Sequence, residues 1–369
     1  RRLRIVQLGF GGVGQALVRH YINLAGNYPW LTYTGIADRS GLLLLDGGWS
    51  LADLQAVLSD KGSGKRLAEL AASFGSRATF TAASPGSALP PLDSVFSTGN
   101  TSPAELVVVD VTAERHAYDT LLQARQQGAN LVLCNKWALA EDFERYEALV
   151  HGGSGRFIYE TTVGAALPVI NVLDSLLLTG DEVTAIDAAI SGTLGYISTQ
   201  IQAGVLFSSA LLKAQRLGYT EPDPRDDLGG VDARRKALIL ARRLGMRLNM
   251  PDIQVESLVP HGFGDISLTA FWKQLPASDA GYVKRVGEAA ARGNVLRYLA
   301  RIDSSGASVA LLEVPLNSLA GNLNSTESLF VFHTRRYGDQ PLAVRGRGAG
   351  AEITASGVLG DILRLGGVL

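Results

Sequence analysis

The first 150 residues alternate between short apolar runs and longer stretches with helical spacing. LRIVQL, LTYTGIAD, ELVVVDVTA and LVLCNKWAL are rich in aliphatic and β-branched residues and predict strands. VGQALVRHYINLA and HAYDTLLQARQQGAN repeat their apolar positions every three or four residues and predict helices. LADLQAVLSDKGSGKRLAELAASF predicts a helix broken at Gly62 to Gly64. Residues 81–104 are rich in Ser, Pro and Gly and predict a surface loop. Strands that are apolar throughout, separated by helices, imply a parallel sheet with helical crossovers.

Beyond about residue 150 the pattern changes. GRFIYETTVGAALPVINVLDSLLLTG predicts strand, turn and helix, and DEVTAIDAAISGTLGYISTQI an alternating strand followed by a helix. LRYLARID and ASVALLEVP are half-buried strands that suggest an antiparallel pair. RGRGAGAEITASGVLGDILRL predicts a glycine turn and a terminal helix. The expected division is a first domain over 1–150, a second of α+β character over 151–335, and a segment over 336–369 that packs back on the first.

Composition adds mainly exclusions. The chain has 369 residues, 46% hydrophobic and 19% charged, enough for two cores. A net charge of −1 gives no polyelectrolyte signature, so no nucleic-acid partner is expected. One cysteine, Cys134, rules out an internal disulfide framework and a cysteine zinc cluster, and fits a reducing compartment. No apolar run approaches the roughly 20 residues that span a bilayer, so no membrane partner is expected. RRLRIVQLGFGGVG is basic and then apolar, but its apolar part runs into glycines, as a first strand does and a signal peptide does not. These features fit a cytoplasmic chain, or one from which an organellar leader has been removed.

Gly9, Gly11 and Gly14, with Gly12 and Val13 between them, form G-x-G-x-x-G between a predicted strand and helix. The first glycine permits a tight turn, the second lets backbone approach a pyrophosphate, and the third lets helix pack on strand. The helix N-terminus then offers free N–H groups to the anion. The fold class expected is therefore α/β: a Rossmann-type doubly wound parallel sheet plus an α+β substrate-binding and dimerisation domain. Asp38 ends the next strand and suits the adenosine ribose of NAD. Arg39 follows and suits the extra phosphate of NADP. The choice stays open, leaning to NADP.

Further motifs carry a family resemblance. ETTVGAAL at 160–167, SGTLGYI at 191–197, LGYTEPDPRDDLGGVDARRKALILAR at 217–242 and GRGAG at 346–350 resemble homoserine dehydrogenase, as does the Asn135–Lys136 pair after a strand. The resemblance runs from Gly9 to the C-terminal helix, and TEPDPRDDL is its most specific part. It is to the short form, with neither an aspartate kinase domain before the glycine turn nor an ACT domain after the tail helix. It implies interconversion of L-homoserine and L-aspartate 4-semialdehyde with NADP or NAD, in a homodimer. It makes Lys236 the proton donor and acceptor and puts Lys136 between cofactor and substrate. Glu221 and Asp232 contact the substrate, Asp227 supports that contact, and Thr193 joins them. Gly9, Gly11, Gly12, Val13, Gly14, Thr112, Gly192, Gly218 and Gly350 line the cofactor. Glu160, with the carbonyls of Val163, Ala165 and Leu167, resembles the family's monovalent cation site, usually sodium. Ala166 stands where the family often has Gly, and Gly195 where it commonly has Asn or Ser.

The chemistry suits these residue types. Hydride transfer to an aldehyde builds negative charge on oxygen, which an ammonium stabilises and then protonates. A second lysine and burial both make lysine less basic, whereas Asp232, one turn before Lys236, favours its charged form. Glu221, Asp226, Asp227 and Asp232 provide carboxylates for a substrate ammonium, with Pro222 and Pro224 expected to hold the loop extended. The SGTLG turn offers N–H groups and the Thr193 hydroxyl to a substrate carboxylate. Plainer readings stand beside these: a solvated acidic loop, an ordinary helical Asp232–Lys236 pair, and Glu160 as a helix cap. Ile239 and Leu240 continue the face of that pair and suggest that it is drawn inward. The five histidines show no metal-ligand spacing, and Cys134 lacks the base partner of a nucleophile.

Overall fold

The computed structural model describes residues 2–83, 89–97 and 102–368. The chain forms two compact units, Arg1–Ala166 with Ala349–Leu369, and Leu167–Gly348.

The first unit is built on a seven-stranded sheet. Its strands are β1 (Leu3–Leu8), β2 (Leu31–Asp38), β3 (Gly41–Leu45), β4 (Ala78–Ala82), β5 (Leu106–Asp110), β6 (Asn130–Leu133) and β7 (Phe157–Ile158). Their order is β4-β3-β2-β1-β5-β6-β7. From β2 to β7 all pairs are parallel, as the continuously apolar strands require. The chain leaves β1 toward β2 and later returns to β5 on the other side of β1. That reversal makes a topological switch point at the carboxyl ends of β1 and β5. The core packs β1, β2 and β5 against the helices Gly12–Leu24 and Ala351–Leu365.

Three expectations change here. The sheet is not wholly parallel: GLLLL turns back at Gly41 and adds β3 and β4 antiparallel at one edge. Gly41 has φ +152, and a Cβ there would lie 2.3 Å from the Thr81 carbonyl oxygen, so this reversal needs glycine. The loop expected over 81–104 contains a short helix, Asp93–Ser97, while residues 84–88 and 98–101 of it lie outside the described ones. The unit boundaries fall after 166 and 348 rather than 150 and 335. β7 pairs with β6 in the first sheet, and Leu342–Arg347 pairs into the second.

The second unit carries a six-stranded sheet of β8 (Val183–Ala189), β9 (Gln254–Val255), β10 (Asn294–Asp303), β11 (Gly306–Pro315), β12 (Glu327–Thr334) and β13 (Leu342–Arg347). The order is β13-β12-β8-β10-β11-β9, antiparallel except between β11 and β9. LRYLARID and ASVALLEVP do pair, as β10 and β11 across Asp303 and Gly306. The helices Gly192–Gln202 and Val231–Arg243 contribute buried Leu194, Ile197, Leu238 and Ile239 to this unit. No described helix is long and apolar enough to cross a membrane.

Candidate active site

In the first unit the candidate residues gather at the carboxyl ends of β1, β2, β5 and β6. Gly9 follows β1 with φ +100, and a Cβ on it would lie 2.9 Å from the Thr112 methyl. A Cβ on Gly14 would lie 2.2 Å from the Gly9 carbonyl oxygen. Both positions therefore need glycine to close the turn on its neighbours. Gly11 is different: a Cβ there meets nothing within 4 Å, so the space before the Gly12–Leu24 helix is open. That open cradle, beside free helix N–H groups, fits a pyrophosphate. Gly12 and Val13 open the helix, and Gly350, with φ +115, precedes the Ala351–Leu365 helix. A Cβ on Gly12 would come 3.6 Å from the Ala351 Cβ, so Gly350 stands beside the glycine turn. The turn is fixed from beneath by buried Gln7, which bonds the Gly9 carbonyl and accepts from the Tyr33 hydroxyl, each at 2.8 Å.

Asp38 ends β2, but its carboxylate is already engaged. It accepts from Ser40 N and Oγ, from Leu67 N at 3.2 Å, and from Lys61 Nζ at 2.6 Å. Burial pushes this carboxyl up, and the Lys61 ammonium with the Ser40 and Leu67 bonds outweighs it, leaving Asp38 below the usual range. Arg39 is exposed beside it. Thr112 follows β5, and Lys136, half-buried, follows β6. Cys134 lies between β6 and Asn135. Burial raises its thiol pKa despite Lys136 and Thr161, which suits an inert thiol.

Glu160 and Val163 are buried, the former just before the one-turn helix Thr161–Gly164. Glu160 makes no side-chain cap bond, so the cap reading is not realised. Ala165 has φ +52, an uncommon conformation for alanine. Leu167 begins the second unit. Ala166 is accommodated because Gly357 faces it: a Cβ on Gly357 would lie 3.2 Å from the Ala166 Cβ. Asp361 on the C-terminal helix is fully buried beside Glu160. Burial and the Glu160 charge push its carboxyl up to about 7. A carboxylate with backbone carbonyl oxygens is a hard, all-oxygen donor set of the kind that suits an alkali cation.

In the second unit Lys236 lies on the helix Val231–Arg243 and is only 14% exposed, while Asp232 is 51% exposed. Lys236 is thus drawn inward and Asp232 is not, against the expectation of a buried pair. The reason is the lysine's second partner. Nζ lies 2.9 Å from the Asp232 carboxylate and donates to the Ile190 carbonyl, also at 2.9 Å. Ile190 and Ser191 lead into the helix Gly192–Gln202. Thr193 donates its hydroxyl to the Tyr219 carbonyl and lies 3.2 Å from Asp227 Oδ1. Its hydroxyl is therefore committed to the acidic loop and is not a free donor for a ligand. Gly195 fits closely, since a Cβ there would sit 3.2 Å from the Ser325 carbonyl oxygen.

Gly218 turns the chain at φ +71 into TEPDPRDD. Residues Arg225–Leu228 form one helical turn, so the loop is not extended throughout. Pro224 stands just before that turn, where proline is compatible with a helix. Asp227 is half-buried and accepts from Glu221 N at 2.7 Å. Burial raises its carboxyl above the usual range despite that bond and the Thr193 hydroxyl. Glu221 and Asp226 are exposed. Arg225 braces the loop, donating to both Asp223 oxygens and to the carbonyls of Phe263, Gly264 and Ile266. Gln7, Lys61, Arg225 and Asp361 went unnoticed in the sequence. Gln7 and Asp361 had a signal, each a polar residue in an otherwise apolar face; Lys61 and Arg225 had none.

Comparison with known proteins bears on these features. The chain is 40% identical over 273 residues to a chloroplastic bifunctional aspartokinase/homoserine dehydrogenase of Zea mays, which covers 71% of this chain and 29% of that protein. The chain therefore spans less than a third of the length of that bifunctional relative. It is 35% identical to a homoserine dehydrogenase of Paracoccidioides brasiliensis over 72% of this chain and 75% of the relative. A hyperthermophilic archaeal homoserine dehydrogenase, solved in complex with NADPH, shares the fold with a TM-score of 0.72 at 24% identity, over 100% of this chain and 99% of that one. The family model for homoserine dehydrogenase matches residues 168–363, from just after Leu167 through the lysine helix and the acidic loop to the C-terminal helix. With that match over more than half its length, the chain belongs to the homoserine dehydrogenase family.

Proposed function

We propose that this chain interconverts L-homoserine and L-aspartate 4-semialdehyde, a step toward threonine, methionine and isoleucine. The observation that carries the reading is Lys236, an ammonium drawn to 14% exposure and aimed by two acceptors. Bound NAD(P) supplies the hydride acceptor or donor at the nicotinamide. On reduction the Lys236 ammonium gives a proton to the aldehyde oxygen as hydride arrives at the carbonyl carbon; on oxidation the neutral amine takes the hydroxyl proton of homoserine as hydride leaves for the nicotinamide. Asp232 and the Ile190 carbonyl orient Nζ, so its direction is set before substrate arrives. Glu221 and Asp232, exposed on the acidic segment, receive the substrate ammonium. Asp227 and Thr193 hold the loop that presents Glu221, through the Glu221 N–H and the Tyr219 carbonyl. First-turn N–H groups at Gly192 and Thr193 receive the substrate carboxylate.

The glycine turn, Thr112, Lys136, Gly192, Gly218 and Gly350 line the dinucleotide, and the NADPH complex of the archaeal relative supports that class of cofactor. Engaged Asp38 beside exposed Arg39 favours NADP over NAD. Glu160, with carbonyls of Val163, Ala165 and Leu167, would hold a monovalent cation, sodium by family. Two copies pairing through the second unit would make a homodimer, which light scattering at micromolar concentration checks. The domain roles follow: the first unit binds dinucleotide, and the second binds substrate and dimerises. A cytoplasmic location accords with this chemistry.

The deciding experiment follows reduced nicotinamide appearing with L-homoserine, with NAD and NADP separately, for wild type and Lys236→Ala. Wild-type activity that collapses in the variant, with dinucleotide still bound, supports the reading. Absence of wild-type activity with either dinucleotide would sink it.

A further inference from the structure

Asp110 ends β5 and is fully buried, and Asn135, almost as buried, follows β6. Their side chains meet at 3.0 Å, Asn135 Nδ2 donating to Asp110 Oδ2. Asp110 Oδ1 accepts from Thr112 N at 2.8 Å and from Thr112 Oγ1 at 2.6 Å. Asn135 Nδ2 lies 2.8 Å from the Glu114 carbonyl and 3.2 Å from Thr112 Oγ1. Its Oδ1 accepts from Trp137 N at 2.9 Å, a turn that places Lys136 at its centre. The Arg115 guanidinium lies over the Trp137 ring at 4.2 Å, closing a second contact between the same two segments.

We propose that Asp110 and Asn135 are positioning residues whose carboxylate–amide pair locks the segment after β5 to the segment after β6, fixing Thr112 and Lys136 as one ledge for the dinucleotide. The ledge's role rests on the dinucleotide reading above; the lock itself does not. Asn135 spends both ends of its amide on protein atoms, so it acts through its neighbours. The demand on Asp110 is specific. Each of its oxygens accepts from an N–H: on one side the Thr112 amide, which cannot become an acceptor, and on the other the Asn135 NH2, which the Glu114 carbonyl and the Trp137 N–H hold in that orientation. An asparagine in its place would aim its own NH2 at one of them in either orientation. A carboxylate satisfies both. Burial pushes Asp110 up to about 6 against the pull of Thr112 and Asn135.

The test uses the full chain with Asp110→Asn, Asn135→Ser and the exchanged pair Asp110→Asn/Asn135→Asp. Hydrogen exchange is read by mass spectrometry over residues 111–117 and 135–139, with the helix Phe143–His151 as control. NADPH affinity is read by its fluorescence. Either single variant should speed exchange in both segments together and weaken NADPH binding, each by about tenfold or more, as a buried donor left unpaired implies. The exchanged pair restores one donor–acceptor match and should recover part of both effects. Asn135→Ser keeps the test open if Asp110→Asn does not fold. Segments that loosen singly, or not at all, overturn the lock. So does loosening that extends equally to the control helix with no recovery in the exchanged pair. Segments that loosen together while NADPH affinity is unchanged overturn the ledge's role. A wild type that binds neither NADPH nor NADH defeats the dinucleotide reading itself.

Discussion

Lys61 Nζ lies 2.6 Å from Asp38 Oδ2, and with Ser40 and Leu67 it occupies the acceptors that a dinucleotide ribose would otherwise use. The carboxylate is only 7% exposed. A neutralised, engaged Asp38 no longer repels an adenosine phosphate, and Arg39 stands next to it. Arg39→Ala should therefore raise KM for NADP by about tenfold or more, the worth of one charge-assisted hydrogen bond, with KM for NAD nearly unchanged. Steady-state kinetics with each dinucleotide decide it. Equal losses with both would assign Arg39 to general folding and return Asp38 to the ribose.

The same pair makes a pH prediction. Asp38 titrates below its unfolded value, near 3.9, because Lys61, Ser40 and Leu67 together outweigh burial. A carboxyl with a depressed folded pKa contributes stability above the unfolded value and loses it as pH falls through the folded one. Asp38→Asn should thus be less stable than wild type at pH 7. The gap should hold to about pH 4 and close below it. Urea midpoints measured from pH 3 to pH 7 give the comparison. A gap that stays constant across that range would mean that the loss came from packing rather than charge.

Lys236 differs from an ordinary helical ion pair in having the Ile190 carbonyl as a second acceptor, within a strand-to-helix turn that also carries Ser191 and Gly192. Lys236→Ala should lower kcat by about 100- to 10,000-fold, the usual worth of positioned proton transfer. NADPH affinity should stay within about twofold, because Lys236 is not among the residues proposed to line the dinucleotide. Asp232→Asn should act more weakly, since the Ile190 carbonyl still holds Nζ. Equal losses from the two variants would make the ion pair, rather than the lysine, the working group.

Much of this arrangement was legible in the sequence for physical reasons. β1, β5 and β6 announce themselves because a strand buried on both faces must be apolar throughout, and a G-x-G-x-x-G after such a strand has few structural alternatives. β3 was missed because GLLLL reads as a fragment until its partner, ATFTA, is known to lie beside it across more than thirty residues of sequence. The exposure of Asp232 was missed because spacing places a side chain on a face but does not say where the face ends. The engagement of Asp38 was equally invisible. Lys61 and Leu67 reach it from the helix Leu51–Gly62 and from the start of the next short helix, Leu67–Leu70, and no local pattern encodes that contact. Local periodicity carries elements; long-range polar pairing carries the site.

Glu160, Ala165 and Asp361 supply the last prediction. Ala165 at φ +52 stores backbone strain, on the order of 1–3 kcal/mol, and strain of this kind persists where a binding site constrains it. Glu160 and Asp361 bring two buried carboxyls together, with Arg364 paired to Asp361 at 2.7 Å. If a cation sits on Glu160 and the neighbouring carbonyls, sodium should stabilise the fold. At ten times its dissociation constant the gain is about 1.4 kcal/mol, a few degrees in Tm. Choline chloride at equal ionic strength should give none. Glu160→Gln should abolish the response. Ala165→Gly should keep it, because the ligand there is a backbone carbonyl, and should also raise Tm in choline by relieving the strain. Melting curves in the two salts separate the cases. An Ala165→Gly variant that loses the sodium response would show that the alanine itself shapes the site, and identical curves for wild type in both salts would remove the cation.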